Sequence, residues 1–410
     1  MCQAADVLGL AIACAVSAAA WVYLVAAHGG VWRTGERLPP RRTAEAGRAP
    51  CPAVVAVVPA RNEADSLPGT LPALLGQEYP GEFRVFLVDD GSDDGTAGVA
   101  AELGEKAARD GGAPLTVVSG RPRPDGWAGK VWAMSQGLAA AVDTGSAASA
   151  PAYVLFTDAD ITWAPTALRD LVRAAEDDDR ALVSQMALLR AETAWERVIV
   201  PAFVYFFAQL YPFRKVNNPR SRTSAGAGGC MLIEAEALER AGGLEPMRGA
   251  LIDDVALGTL LKKNGNRIWL GLTTDIRSDR PYPSLGSLWH MIARSAYVQL
   301  RYNPALLAGT LVGLLLLYAV PPAGVIAALI AVAVGSTGAA AAVSGIAGLV
   351  GWALMTASYL PMLRFYRLSP LRAPALPLIA LLYAAMTADS ARRHYSGRAV
   401  SWRGRAADRV

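Results

Sequence analysis

Two kinds of apolar pattern divide the chain. Long, nearly unbroken apolar runs occupy residues 7–27, 305–334, 339–363 and 374–388, whereas residues 53 to 300 alternate short apolar runs with helical stretches. A helix that spans a bilayer needs about 20 consecutive apolar residues. The runs at 7–27, 305–334 and 339–363 meet that length, while 374–388 falls short of it, which fits a re-entrant or interfacial segment. Pro321 and Pro322 lack the N–H that a helix interior needs, so a break or kink is expected in the second run.

Within the alternating region, residues 54–58, 83–88 and 153–156 read as buried strands: short, rich in β-branched or aromatic residues, and bounded by turn residues. Helical pattern follows the first two, as in βαβ units. The expected fold class is α/β, with a mostly parallel, Rossmann-like central sheet. Each run ends in polar residues: Pro59-Ala60-Arg61-Asn62-Glu63, Asp89-Asp90-Gly91-Ser92 and Thr157-Asp158-Ala159-Asp160. Open α/β sheets bind ligands beyond the carboxyl ends of their strands, so these acidic ends predict one acidic cleft.

Composition changes the picture in one respect. With 53% hydrophobic and 18% charged residues among 410, the chain is too apolar for an ordinary soluble enzyme. A net charge of +4 gives no argument for nucleic acid as a partner, and what informs is where the cations sit. Asp6 precedes the first run and Arg33, Arg37, Arg41, Arg42 and Arg48 follow it without a basic segment ahead. That pattern predicts a retained anchor with a cytoplasmic continuation. Arg364, Arg367 and Arg372, then Arg392, Arg393, Arg398, Arg403 and Arg405, favour the cytoplasm for both flanks of the last run. The expected organisation is an anchor at 1–30, a basic linker at 31–52 and a catalytic domain with interfacial segments at 53–303. A membrane region of two to four segments at 304–390 and a basic tail at 391–410 complete it. Cys2, Cys14, Cys51 and Cys230 lie far apart and suggest neither a disulfide framework nor a zinc site.

Asp158 and Asp160 follow an apolar strand, so two carboxylates stand at its end. Mg²⁺ or Mn²⁺ takes one or two carboxylates together with substrate phosphates, which suits this pair; a strand-end turn is the plainer reading. Asp89, Asp90, Asp93 and Asp94 exceed what capping a helix requires, and so many carboxylates need donors such as base or ribose groups, or a cation. Asp253 and Asp254 open a helical stretch, where they either favour the helix start or supply a general base for an acceptor hydroxyl. Lys130, after Trp127-Ala128-Gly129, either neutralises a phosphate at a helix start or is a solvated surface lysine. The aromatic-rich residues 195–213 read equally as a buried helix or as a segment against lipid headgroups. Gly226-Ala227-Gly228-Gly229 lacks the Lys-Ser/Thr of a P-loop and leaves room for close approach of a donor sugar. His290 lies near Arg294 and Arg301, within reach of a diphosphate; no His/Ser or His/Cys pairing is visible.

The order of these motifs, closing with Arg294-Ser295-Ala296-Tyr297-Val298-Gln299-Leu300-Arg301, resembles the family 2 glycosyltransferases of the GT-A fold over residues 52–302. Together with the terminal apolar runs and Ser401-Trp402-Arg403-Gly404-Arg405, it looks most like the hopene-associated glycosyltransferases of hopanoid-producing bacteria. The resemblance implies a multi-pass protein of the bacterial inner membrane that moves a sugar from a UDP-sugar to a lipid, inverting the anomeric carbon, with Mg²⁺ or Mn²⁺. It assigns Asp254 as base with Asp253 beside it, and Asp158 and Asp160 to metal and diphosphate. It places Pro59, Arg61, Glu63, Asp89, Asp90, Trp127, Lys130, Arg294 and Arg301 against substrate. The QxxRW signature of processive members is absent, which favours one sugar per acceptor. A polyprenyl-phosphate or glycerolipid acceptor keeps the same fold, and a non-catalytic membrane scaffold is the reading from another class.

Overall fold

A computed structural model describes residues 2–39, 51–143, 151–336, 338–397, 401–402 and 405–406. Pro40, Arg41, Arg42, Arg48 and Pro50 of the linker, residues 144–150 of the small-residue loop, and Arg398, Arg403 and Gly404 of the tail lie outside the described residues. The chain divides into two compact units. One comprises Gly35–Arg190, Lys215–Pro281 and Ala399–Val410; the other comprises Met1–Thr34, Ala191–Arg214 and Tyr282–Arg398.

The first unit is built on a mixed sheet of eight strands: β1 Val54–Ala60, β2 Phe83–Asp89, β3 Leu115–Ser119, β4 Tyr153–Phe156, β5 Ile161–Trp163, β6 Leu182–Leu189, β7 Met231–Glu234 and β8 Ile268–Ser278. Their order is β3-β2-β1-β4-β7-β6-β8-β5. The expected parallel character holds from β3 through β4, and β6 also runs parallel to β8. β7 is antiparallel to both β4 and β6, and β5 is antiparallel to β8. Every residue of β1 is buried, which is why that strand reads as a continuous apolar run. Helices Leu67–Leu75, Thr96–Arg109 and Gly129–Asp143 follow β1, β2 and β3 in turn. In the helix Ala167–Asp177, Leu168, Leu171, Val172 and Ala175 form the buried stripe that helical periodicity demands.

Register places the site. Ala60 lies opposite Asp89 and Asp89 opposite Ser119, so the parallel strands end level; Val57 lies opposite Phe156, so Asp158 and Asp160 leave the sheet on the same edge. The helix that starts at Gly129 seats close to this sheet because Gly137 has no Cβ: one would overlap Val57 and lie 2.9 Å from Val88.

Among the described residues, the second unit holds four helices long and apolar enough to cross a membrane: Asp6–Ala26, Pro304–Ala333, Ala339–Phe365 and Pro370–Tyr395. The double proline does not end the second of these. Pro321 and Pro322 cannot donate to the carbonyls four residues back, and the helix passes through a π turn at Leu315–Ala319 before resuming at Val320–Ala333. Leu317, the carbonyl that Pro321 leaves without a helical donor, accepts from Trp21 Nε1 at 2.8 Å. The last apolar run, short by itself, is extended by Asp389, Ser390, Arg392, Arg393 and His394 into the helix Leu376–Tyr395.

The aromatic-rich segment forms the helix Ala194–Leu210 and packs in this unit. Thr193 and Glu196 form a capping box at its start, and its Tyr205 hydroxyl pairs with Ser358 Oγ at 2.6 Å while Phe206 meets Tyr383 edge-on at 4.7 Å.

Gly137→Val is expected to destabilise the protein by about 1–3 kcal/mol, the usual scale of overpacking, because the stiff side chains of Val57 and Val88 must give way. A lowered melting temperature of the purified protein, followed by tryptophan fluorescence, checks this; unchanged melting would mean that the helix is not seated as described.

Candidate active site

Two loops close on each other beyond β1 and β2. Asn62, at a left-handed φ of 51° that asparagine tolerates, donates its N–H to Ser92 Oγ at 2.9 Å and accepts from the N–H of Asp93 at 3.1 Å. Arg61 donates to the carbonyls of Asp90 and Gly91. Pro59 lies in the buried end of β1. Asp89 and Asp94, two of the four clustered aspartates, find their donors in the protein itself. Asp89 accepts from the N–H and hydroxyl of Ser92. Asp94 accepts from the N–H of Thr96 at 3.0 Å, its hydroxyl at 2.5 Å and the N–H of Ala64 at 3.0 Å. Against the upward push of its slight burial, these bonds hold the Asp94 carboxyl below its ordinary range. Asp93 is exposed, whereas Asp90 is buried at 2% exposure.

The centre of the site is Lys130. Its Nζ lies 2.7 Å from Asp158 Oδ1 and 2.9 Å from Asp253 Oδ2, so it is not a solvated surface lysine. Burial disfavours its charge, but Asp158 and Asp253 overcome that penalty and hold the ammonium above the ordinary lysine range. Burial also raises the Asp158 carboxyl, with Asp160 and Asp253 adding to the rise and Lys130 opposing it.

Asp253 and Asp254 do more than favour the start of helix Asp253–Lys263, since both reach beyond it. Asp254 Oδ1 accepts from the N–H of Val255 at 2.8 Å, and its Oδ2 accepts from the N–H of Gly228 at 3.0 Å. Burial, reinforced by the charge of Asp253, pushes the Asp254 carboxyl up to about 7, against the opposing pull of Lys130.

The glycine run makes this convergence sterically feasible. A Cβ at Gly228 would lie 3.1 Å from Lys130 Nζ and 3.7 Å from both Asp158 Oδ2 and Asp254 Oδ2. One at Gly226 would lie 2.9 Å from the Asp254 carbonyl. These glycines admit the protein's own charged groups and backbone.

A second cation, Arg280, was not singled out from the sequence. Its Nε donates to Asp160 Oδ2 at 2.6 Å and its Nη2 to Glu63 Oε1 at 2.8 Å. Two carboxylates outweigh the cost of its partial burial, so its guanidinium is held more firmly charged than an ordinary arginine. The signal lay in strand pairing, which carries Arg280 past the end of β8 to Asp160, and no local motif marks it. The Asp158-Ala159-Asp160 backbone is pinned as well: Thr157 Oγ1 donates to the Gly229 carbonyl, Thr70 Oγ1 to that of Ala159, and the N–H of Asp279 to that of Asp160.

Trp127 is half-buried, meets Trp132 edge-on at 5.1 Å, and offers its carbonyl to Arg123 Nη1 at 2.6 Å. Arg294 is an exposed residue of the helix Leu285–Gln299, and Arg301, with a φ of 53°, follows that helix; both belong to the unit of apolar helices. The His290 ring nitrogen Nδ1 is 2.6 Å from the carbonyl of Gly286.

Among the described residues, no three His, Cys, Asp or Glu side chains converge as a ready cation cage. The donor set nevertheless suits a hard divalent ion, which commonly takes one or two carboxylates and completes its shell with phosphate and water. Asp160 directs Oδ2 to Arg280 and Ser278, and its Oδ1 makes no hydrogen bond among the described residues.

Residues 55–242 match the family model "Glycosyl transferase family 2". No curated protein matches the chain. Among solved structures, a mannosyltransferase from Pyrobaculum calidifontis in complex with GDP-Man and Mn²⁺ is 21% identical, with 90% of this chain and 99% of that one covered and a TM-score of 0.51. TarS of S. aureus (17% identical, 60% and 40% covered, TM-score 0.39) and glucosyl-3-phosphoglycerate synthase of Mycobacterium tuberculosis (20%, 58% and 76%, TM-score 0.35) are more distant in fold. Residues 55–242 are thus a glycosyl transferase family 2 domain, and the chain that carries it, together with four apolar helices, is a glycosyltransferase.

Proposed function

We propose that the chain is a membrane-bound, inverting glycosyltransferase that moves one sugar from a nucleotide donor to a lipid acceptor. The observation that carries the reading is the cluster of Asp158, Asp253 and Asp254 around Lys130, beyond the ends of the parallel strands. In this reading the acceptor hydroxyl oxygen attacks the anomeric carbon as the bond to the diphosphate breaks, and the departing nucleotide takes the electron pair. Asp254 receives the hydroxyl proton; a carboxyl titrating near 7 suits a base that works at neutral pH. Asp158 and Asp160 would hold Mg²⁺ or Mn²⁺, whose charge offsets that gathering on the leaving diphosphate. Lys130 steadies Asp158 and Asp253 and offers a cation to phosphate. Glu63 and Asp90 are assigned to the nucleotide by the family resemblance, and Pro59, Arg61, Asp89 and Trp127 to substrate. Arg294 and Arg301 are assigned to substrate on the same ground.

The four apolar helices support a lipid acceptor, and the hopene-associated resemblance favours a hopanoid over polyprenyl phosphate or a glycerolipid. The proposed setting is the bacterial inner membrane with the sheet domain in the cytoplasm, an anchor at 1–30, a catalytic domain at 53–303, a membrane region at 304–390 and basic segments at 31–52 and 391–410. Mass spectrometry of lipids from cells with and without the gene tests sugar and acceptor together: one missing glycolipid is expected, and identical lipid profiles would remove the lipid acceptor. Calorimetric titration with UDP-sugars and GDP-sugars in turn identifies the nucleotide, with UDP expected.

Asp254→Asn is expected to lower transfer by about 10²- to 10⁴-fold, the usual contribution of a positioned base, while nucleotide-sugar binding persists. Undiminished turnover would take Asp254 out of that role. Since the base acts when deprotonated, kcat/KM should rise with pH to a plateau above about 7. Lys130 lowers the Asp254 pKa, so Lys130→Met should move the rising limb to higher pH. A limb that stays in place or moves to lower pH would separate the two residues electrostatically.

A further inference from the structure

We infer that Arg280 is a positioning residue that ties the metal end of the site to its nucleotide end by holding Asp160 and Glu63 in one rigid fork. The inference rests on the proposed function, because it takes Asp160 as a cation ligand and Glu63 as a nucleotide contact.

Backbone pairing fixes where Arg280 stands. β5 begins immediately after Asp160 and runs antiparallel to β8, with Ile161 opposite Ser278, Thr162 opposite Arg277 and Trp163 opposite Ile276. The ladder continues one step further, the N–H of Asp279 donating to the Asp160 carbonyl at 3.2 Å. Arg280 is therefore delivered alongside Asp160 by the sheet itself.

Arginine presents its donors in a planar fork, so engaging two carboxylates at once fixes both in direction as well as in charge. The fork lies 2.6 Å from Asp160 and 2.8 Å from Glu63, whose side chains are only 11% and 7% exposed. Ser278 Oγ also donates to Asp160 Oδ2, at 3.3 Å. Both donors thus reach Oδ2 and leave Oδ1 without a hydrogen bond among the described residues. Glu63 is fixed from its other side, its N–H donating to Thr96 Oγ1 at 2.9 Å. An ion pair serving stability alone would tolerate any cation that balances the two charges. A positioning role requires the fork.

Arg280→Lys keeps the charge and removes the fork. Calorimetric titration of the full-length protein with UDP, and with GDP if UDP does not bind, is run with and without Mn²⁺; the affinity ratio measures how strongly metal and nucleotide support each other. That ratio should fall by roughly tenfold in Arg280→Lys, the lower end of the effect of removing a hydrogen-bonding partner of a metal ligand. The melting temperature without ligands reports folding. Should Arg280→Lys fail to fold, Glu63→Gln, which frees one arm of the fork without adding bulk, should lower the same ratio. A folded variant with an unchanged ratio overturns the inference and leaves the proposed function standing. Failure of the wild-type protein to bind either nucleotide overturns both.

Discussion

Mutual repulsion among carboxylates is the constraint on which this site depends. Glu63, Asp158, Asp160, Asp253 and Asp254 share one edge of the sheet unit, where Lys130 bridges Asp158 and Asp253 and Arg280 bridges Asp160 and Glu63. Each cation bridges two acids, so the arrangement holds only while both bridges are made. Burial, with neighbouring carboxylates adding to it, raises the carboxyls of Asp158 and Asp254, and a divalent ion, or a substrate that brings one, suits the edge for the same reason.

Backbone geometry makes this crowding feasible. The adjacent parallel strands β1, β2 and β4 deliver their acidic segments to one edge, and the absent side chains at Gly226 and Gly228 admit the Asp254 backbone and Lys130 Nζ. Gly258, one turn into the helix Asp253–Lys263, has the same function at the far side, since a Cβ there would lie 2.7 Å from the Ala225 backbone. Helix and glycine run therefore dock backbone to backbone, and a Gly→Ala change anywhere along that seam moves the carboxylates as well as the fold.

The strands that carry the acidic ends were legible because they are mostly buried on both faces, which turns β1 and β4 into apolar runs between turn residues and leaves β2 interrupted only by Arg84. Lys130, Asp158, Asp253 and Asp254 were legible as motifs, and folding supplied the pairing between them. Arg280 was not legible. It stands after an eleven-residue strand that lies between β6 and β5, paired with β6 on both sides of an irregularity at Met186–Leu188 and with β5 along its last residues. A residue placed by such long-range pairing bears no local signature. Asp89 and Asp94 show the converse: carboxylates whose number called for donors also find donors in the protein itself, Asp89 from Ser92 and Asp94 from Thr96 and Ala64. Short polar side chains satisfy a turn and a ligand with the same atoms, and only coordinates separate the two.

Among the apolar helices the same accounting of donors and acceptors decides the structure. Prolines predict interruption because they remove a donor, and in water the orphaned carbonyl would simply be hydrated. In an apolar environment it needs a protein donor. Trp21 Nε1 supplies one to Leu317, while the π turn redistributes the neighbouring bonds and lets the helix run on through Pro321 and Pro322. The indole also stacks edge-on against Tyr318 at 5.4 Å, so one side chain of the first helix meets both the apolar and the polar demands of this turn. The two units therefore obey one rule with opposite contents. In the sheet unit surplus acids require cations, and among the apolar helices a surplus acceptor requires a donor; in each case the partner comes from a segment remote in sequence.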